Sequence, residues 1–255
     1  MKKILIALAA CSVGICAQAQ VLKSGLLNGY KDGETLEKNV YVAKDDAAKL
    51  DTWSGAAVSK PTDVESPVTG AALSYPGYNE GGPSIKLGTP KGVKGTRFSV
   101  YTIDTKKAYS KGTLYLSFLC DFSRLGGNSA TDLLGLSANA TGASNRAAVK
   151  VLKDGTDGYR FAVTANKTVS ECQKICDYDK THLVVLKLDY AKQTVSLFVD
   201  PKAGEEEPAA CTVAMPDDEH PLKHAIRSIS LRNRSGHAGS VGNIRLTGSW
   251  ASIWE

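Results

Sequence analysis

The sequence predicts an all-β protein in which two antiparallel sheets pack face to face as a sandwich. Short runs of β-branched and aromatic residues alternate with clusters of Gly, Asn, Asp and Pro, and the 3.6-residue period of a helix is almost absent. The clearest predicted strands are residues 97–103, 113–120, 159–165, 226–232 and 241–247. No internal repeat or low-complexity tract divides the chain, so we expect one large sandwich.

Residues 181–200 carry the strongest strand pattern. Apolar side chains fall on every second position of two runs, at Val184, Leu186, Leu188, Val195, Leu197 and Val199. A period of two is expected of half-buried antiparallel strands, and Pro201 ends the second run because it has no N–H for the ladder. We therefore expect residues 181–190 and 194–200 to be neighbouring strands of the scaffold, with Leu197 in the core.

The N-terminus has the pattern of a secretory signal peptide. Lys2 and Lys3 precede an apolar run, residues 4–10, and the A-x-A sequence of residues 17–19 follows. Cleavage after Ala19 would remove residues 1–19 and leave residues 20–255 as a single domain, exported to the periplasm, the outer-membrane surface or the medium. An alternative is a lipoprotein box that ends at Cys11. No later run is long and apolar enough to predict a transmembrane segment.

Four cysteines remain after that cleavage: Cys120, Cys172, Cys176 and Cys211. An even number in an exported chain favours disulfides, and four cysteines allow three pairings. We favour a local bridge from Cys172 to Cys176, with Cys120 joined to Cys211, and expect no free thiol. The Cys172 and Cys176 spacing also fits half of a zinc site, but no second such pair occurs.

Charge and motif patterns exclude several function classes. Without Lys2 and Lys3, 29 basic residues face 26 acidic ones, so the net charge is near +3. These basic residues are spread along the chain, which predicts no nucleic acid or anionic membrane as a partner. His220 and His224 have the spacing of a helical metal pair, but Pro221 disfavours a helix there. We predict no cofactor and no metal site.

Two stretches carry a family resemblance. The run "HLVVLKLDYAKQTVSLFVDP" and the later run "IRSISLRNRSGHAGSVGNIRLTGSW" resemble the concanavalin A-like lectin/glucanase superfamily, in the LamG-like jelly-roll modules of exported bacterial proteins. The resemblance implies a two-sheet antiparallel jelly roll over residues 20–255. Gly242 stands where those modules usually have Asp. A fold does not fix function, so the chemistry has to come from individual residues.

No catalytic pattern stands out in the chain. Glycoside hydrolases on this scaffold resemble one another in an E-x-D-x-x-E triplet on one strand, and this sequence has none. Nucleophile signatures such as G-x-S-x-G are missing as well. We therefore predict that the protein is not an enzyme, with a divergent polysaccharide-degrading enzyme as an alternative.

Candidate ligand-binding residues occur in two places. Tyr75, Tyr78, Asn79 and Glu80 lie in a Gly- and Pro-rich stretch and combine aromatic rings with polar groups, as sugar recognition requires. Arg232 and Arg234 fall on one strand face and form the second candidate.

These residues predict a non-catalytic, lectin-like carbohydrate-binding module at the bacterial cell surface. The alternative is a structural or adhesion protein that packs against other cell-surface proteins and has no sugar site. In that case the tyrosines would cover a strand edge and the arginines would pair with carboxylates. An open groove lined by Tyr75, Tyr78 and Arg232 would favour the first function, and a flat apolar patch would favour the second.

Overall fold

A computed structural model describes residues 21–37, 49–55, 64–78, 81–89, 92–103, 109–140, 145–204, 210–214 and 225–255. The predicted signal peptide and the lipoprotein box at Cys11 lie outside these residues. Over the part that the structure describes, no helix is long and apolar enough to cross a membrane.

Strands account for nearly all of the regular structure in the described ranges. They are β1 (Val21–Lys23), β2 (Trp53–Gly55), β3 (Val68–Thr69), β4 (Ser84–Gly88), β5 (Thr96–Thr102), β6 (Thr113–Arg124), β7 (Thr131–Ser137), β8 (Asn145–Asp154), β9 (Gly158–Ala165), β10 (Thr168–Asp177), β11 (His182–Asp189), β12 (Thr194–Val199), β13 (Cys211–Ala214), β14 (Ser228–Arg234) and β15 (Ala238–Thr247). A short 3₁₀ helix, Ala251–Ile253, follows the last strand.

The strands form two antiparallel sheets, which confirms the predicted two-sheet sandwich. The eight-stranded sheet has the order β13-β12-β11-β6-β15-β4-β3, and β1 pairs with β15 as well. The seven-stranded sheet has the order β10-β9-β8-β7-β14-β5-β2. Strands distant in the chain, such as β6 and β15, are neighbours in the sheet, as in a jelly roll.

The predicted hairpin is confirmed as part of the scaffold. β11 and β12 pair antiparallel, with Leu186 opposite Leu197. The side chain of Asp189 closes the turn, since its Oδ1 accepts the backbone N–H groups of Ala191 and Lys192 at 3.0 and 2.9 Å. Leu197 is buried in the core between the sheets, as its position in the period-two pattern predicts.

A second apolar cluster lies on the outer face of the eight-stranded sheet. It contains Leu73, Tyr78, Tyr115, Leu119, Leu183, Val185, Phe198 and Ile253, with Tyr75, Trp250 and Trp254 packed against them. The segment around residues 73–78 and the C-terminal helix therefore cover this face. Because apolar side chains occupy both faces of β6 and β11, these strands are buried on both sides.

The disulfide pairing differs from the predicted one. Cys172 of β10 bonds to Cys211 of β13, whereas Cys120 and Cys176 are free and buried. β10 and β13 are edge strands of opposite sheets, so the bond joins the two layers along one side of the sandwich. The predicted local bridge fails because four residues of an extended strand span about 13 Å. Bonded cysteines have Cα atoms only about 4.4–6.8 Å apart.

Candidate functional site

The two candidate groups of binding residues lie on opposite outer faces of the sandwich. Tyr75 and Tyr78 belong to the cluster that covers the eight-stranded sheet. Arg232 and Arg234 belong to β14 of the seven-stranded sheet. A groove lined by Tyr75, Tyr78 and Arg232 together is therefore not formed. Asn79 and Glu80 lie outside the described residues.

The contacts of Tyr78 are those of a structural residue. Its side chain is 2% exposed, and its hydroxyl donates to the backbone oxygen of Asn243 at 2.7 Å. The guanidinium of Arg245 lies over one ring face, 4.4 Å from the centroid, and Trp254 meets the ring edge-on. Tyr75 is only partly buried and donates its hydroxyl to the oxygen of Pro201 at 3.2 Å. These contacts explain stability, and a binding role for this segment stays a prediction.

The outer face of the seven-stranded sheet has a different character, because small residues line its middle. Ser230, Gly135 and Ala148 are direct partners across β14, β7 and β8. Each lies between residues of the core, so each points outward. All three are buried, and the Asn145 side chain lies directly against Gly135, where a larger residue would clash with it.

Charged side chains form the row next to these small residues. Asp132 pairs with two cations at once, with Arg232 Nη1 at 3.0 Å and Lys150 Nζ at 2.5 Å. The Arg232 guanidinium also lies 4.6 Å from the centroid of the Phe98 ring. Burial, with a smaller effect of nearby Arg234, lowers the pKa of Arg232, and Asp132 opposes that shift. All of these side chains are partly exposed, so a ligand could reach groups that are already partly desolvated.

Several hydrogen-bond donors on this face have no acceptor among the described residues. They are Asn145 Nδ2, Arg232 Nε and Arg234 Nε, and each of the three atoms is shielded from solvent. The amide oxygen of Asn145 is already in use, since it accepts the Ser230 hydroxyl at 2.5 Å. Buried polar atoms normally have partners, so this surplus of donors is unusual. We call Arg232, Arg234, Asp132, Lys150, Asn145 and Ser230 the polar face.

The sequence identified only part of the polar face. Arg232 and Arg234 were candidates, but Asp132, Lys150 and Asn145 were not. Lys150 could have been found, because it stands alone among apolar residues in β8. Its partnership with Asp132 depends on the register between β7 and β8, which one sequence does not give.

Two adjoining cavities lie elsewhere, on the side of the sandwich where β4, β6 and β15 meet. Their volumes are about 350 and 370 Å³, and Lys86, Leu87 and Ala238 line both. Asp121 and Asp179 line the larger one, and burial, with a contribution from Asp179, raises the pKa of Asp121. Within the described ranges no three His, Cys, Asp or Glu side chains are grouped closely enough to hold a metal ion.

Comparisons with known proteins relate the chain to others through its fold. No protein-family model matches it, and no curated protein matches it in sequence. Among solved structures, it is similar to the globular domain of T. cruzi calreticulin at 11% identity and a TM-score of 0.50, covering 79% of this chain and 86% of that one. It is similar to a sialidase at 12% identity and a TM-score of 0.50, covering 91% of this chain and 19% of the sialidase. A structure of endo-acting O-glycanases from the human gut microbiota has 10% identity and a TM-score of 0.48, with 89% and 98% covered. At these identities the likeness concerns the fold alone, a two-sheet jelly-roll sandwich.

The prediction that the chain is not an enzyme is corrected by these comparisons. A sialidase, which is an enzyme, is among the structures with a similar fold. The missing E-x-D-x-x-E triplet excludes one arrangement of catalytic carboxylates only. The triplet's absence therefore does not exclude catalysis.

Proposed function

We propose that this protein binds carbohydrate on the polar face of the seven-stranded sheet. The observation that carries the proposal is the set of shielded donors on Asn145, Arg232 and Arg234, three partly exposed residues of this face. A sugar has many oxygen acceptors, and planar guanidinium and amide groups can each contact two neighbouring oxygens. These groups stand on strands, so they need little ordering when a ligand binds.

Other features agree with this proposal. The fold is shared with lectin-like and glycan-acting proteins. The disulfide between Cys172 and Cys211 suits a protein exported to an oxidising compartment. We extend the proposal to a LamG-like module that follows a signal peptide and acts at the cell surface.

A glycan array followed by calorimetry on each hit tests the proposal. With a few polar contacts and no stacked ring, we expect a Kd on the order of 0.1–1 mM, about −4 to −5.5 kcal/mol. Asn145→Ala should weaken binding, because it removes a shielded donor. Tyr75→Ala tests the alternative segment, and Lys192→Gln in the exposed β11–β12 turn is the control.

The outcomes separate the candidate surfaces. Loss of binding in Tyr75→Ala but not in Asn145→Ala would move the site to the outer face of the eight-stranded sheet. An array without any hit would refute the proposal. Each hit is also incubated with the protein and assayed for new reducing ends, because glycoside hydrolases share the fold.

A further inference from the structure

We infer that the ligand of the polar face is an acidic glycan, one that carries carboxylate or sulfate groups. This inference rests on the proposed function, since it names the class of carbohydrate that the same face would take. Its basis is the balance of charges and of donors and acceptors around β7, β8 and β14.

Positive charge exceeds negative charge on this part of the sheet. Among the described residues, three cations, Arg232, Arg234 and Lys150, stand near a single carboxylate, Asp132, which leaves an excess of two positive charges there. Arg234 has no ion-pair partner within the described ranges, and it stands two positions from Arg232 on the same face of β14, which brings the two guanidinium groups near each other. Like charges held together in a partly desolvated place repel each other, so a bound anion would relieve this repulsion.

The balance of donors and acceptors favours the same class of ligand. The shielded nitrogens of Asn145, Arg232 and Arg234 need acceptors and offer none. A sugar hydroxyl is also a donor, so it needs an acceptor of its own. A carboxylate or sulfate group only accepts hydrogen bonds. Charge-assisted hydrogen bonds to arginine are about twice as strong as neutral ones, and its forked geometry matches both groups.

The positive excess is local to this part of the face. Toward β10, Arg160 stands between Asp154, at 3.1 Å, and Glu171, at 3.7 Å. Two carboxylates outnumber one cation there, which would repel an anionic chain. The acidic group of the ligand should therefore sit over β14 and β7, close to Arg232 and Arg234.

The experiment uses matched pairs of glycans. Oligogalacturonates are compared with their methyl esters, and sulfated oligosaccharides with their desulfated forms, by calorimetry at low and high salt. Acidic members should bind at least about tenfold more tightly than their neutral partners, and the preference should shrink as salt screens the charges.

Variants locate the recognition on the polar face. Arg234→Gln should reduce affinity for acidic members about tenfold and affinity for neutral members by clearly less, because a neutral sugar loses a donor but no charge pairing. Arg234→Lys keeps the charge but loses the forked guanidinium, so its affinity for acidic members should lie between those of the wild type and of Arg234→Gln. Lys192→Gln removes the same charge from the other sheet and should change nothing.

A fourth variant tests whether the negative charge of Asp132 opposes the binding of an acidic glycan. Asp132→Asn removes the carboxylate that competes for Arg232 and Lys150, so it should raise affinity for acidic members severalfold. A purely structural role for Asp132 would lower affinity or leave it unchanged, and either result counts against the inference. Thermal unfolding of each variant shows whether the fold is kept, and the affinity of Arg234→Gln decides between the outcomes if Asp132→Asn does not fold.

The possible results distinguish this inference from the proposed function. Equal affinity for acidic and neutral partners would overturn the acidic class and leave carbohydrate binding in place. Binding of no glycan at all would overturn both. An acidic preference that survives in Arg234→Gln would overturn the assignment to this face.

Discussion

His237 makes a specific pH dependence of stability predictable. It lies between β14 and β15, where its Nδ1 accepts the backbone N–H of Gly126 at 3.1 Å and its Nε2 lies 3.1 Å from Thr131 Oγ1. The side chain is 3% exposed, and burial, together with the Arg234 charge, lowers its pKa from 6.5 to about 4. Protonation of Nδ1 would break the bond from Gly126, which ties two loops at the same end of the sandwich.

The sign and size of the effect follow from the lowered pKa. The unfolded chain takes up a proton on His237 as the pH falls below about 6.5, while the folded chain resists until about pH 4. The neutral form therefore stabilises the fold above pH 6.5, and this stability is lost as the pH falls through that window. Between pH 7.5 and 5 the loss amounts to about 2 kcal/mol.

Urea unfolding of the wild type and of His237→Gln at both pH values measures this loss. The variant lacks the titrating group, so it should be less stable at pH 7.5, and its deficit should shrink by about 2 kcal/mol at pH 5. Taking the difference between the two proteins cancels contributions from groups that both contain. A deficit of the same size at both pH values would show that His237 does not titrate as its surroundings indicate.

Three further predictions concern the core and the cysteines. Replacing Cys172 and Cys211 by Ser opens a cross-link between residues 39 apart and should cost about 4 kcal/mol in the free energy of unfolding, measured in urea; an unchanged midpoint would argue against the bond. In a chain that begins at Gln20, Cys120 and Cys176 should react with a thiol reagent only after denaturation, giving two thiols, because burial raises the pKa of Cys176 to about 12 and that of Cys120 well above its usual value. Four thiols under non-reducing conditions would contradict the structure, and so would none. Leu197→Ala should cost about 2–5 kcal/mol, because it leaves a cavity in the core, and a small loss would show that the site collapses around it.

The strands could be predicted because their signal is local. Alternation in β11 and β12 follows from which side chains face the core, and the connector around Asp189 follows from turn chemistry within a few residues. These features need no knowledge of distant parts of the chain. The two-sheet sandwich was therefore within reach of the sequence.

The cysteine pairing could not be predicted, because it depends on contacts between distant parts of the chain. The segment that holds Cys172 and Cys176 has few apolar residues, so its strand pattern is weak and the short spacing of the two cysteines favours a local bridge. In the structure it is the edge strand β10, and the partner Cys211 arrives on the edge of the other sheet. Which edges meet depends on how the sheets stack, which one sequence does not show.

In the candidate site, too, the features set by neighbouring residues could be predicted, and those set by distant residues could not. Two arginines two positions apart could be placed on one face of a strand, and they do share a face of β14. Tyr78 looked like an exposed ring because its neighbours are typical of loops. In the structure it packs on Asn243 and Arg245, residues some 165 positions away in β15 of the eight-stranded sheet.

The two outer faces of the sandwich explain why the polar face is the better place for a ligand. The eight-stranded sheet carries large apolar side chains outward, such as Phe198 and Tyr115, and the chain covers them with its own tryptophans. The seven-stranded sheet carries Ser, Gly and Ala outward beside a row of charged side chains. An apolar cover there would remove the water that solvates Arg232 and Lys150. Burying unpaired charge is costly, whereas a ligand rich in oxygen can replace the water that those groups lose. The difference between the two faces thus follows from side-chain chemistry, and it is the reason why we propose the β7–β8–β14 surface as the site of a polar ligand.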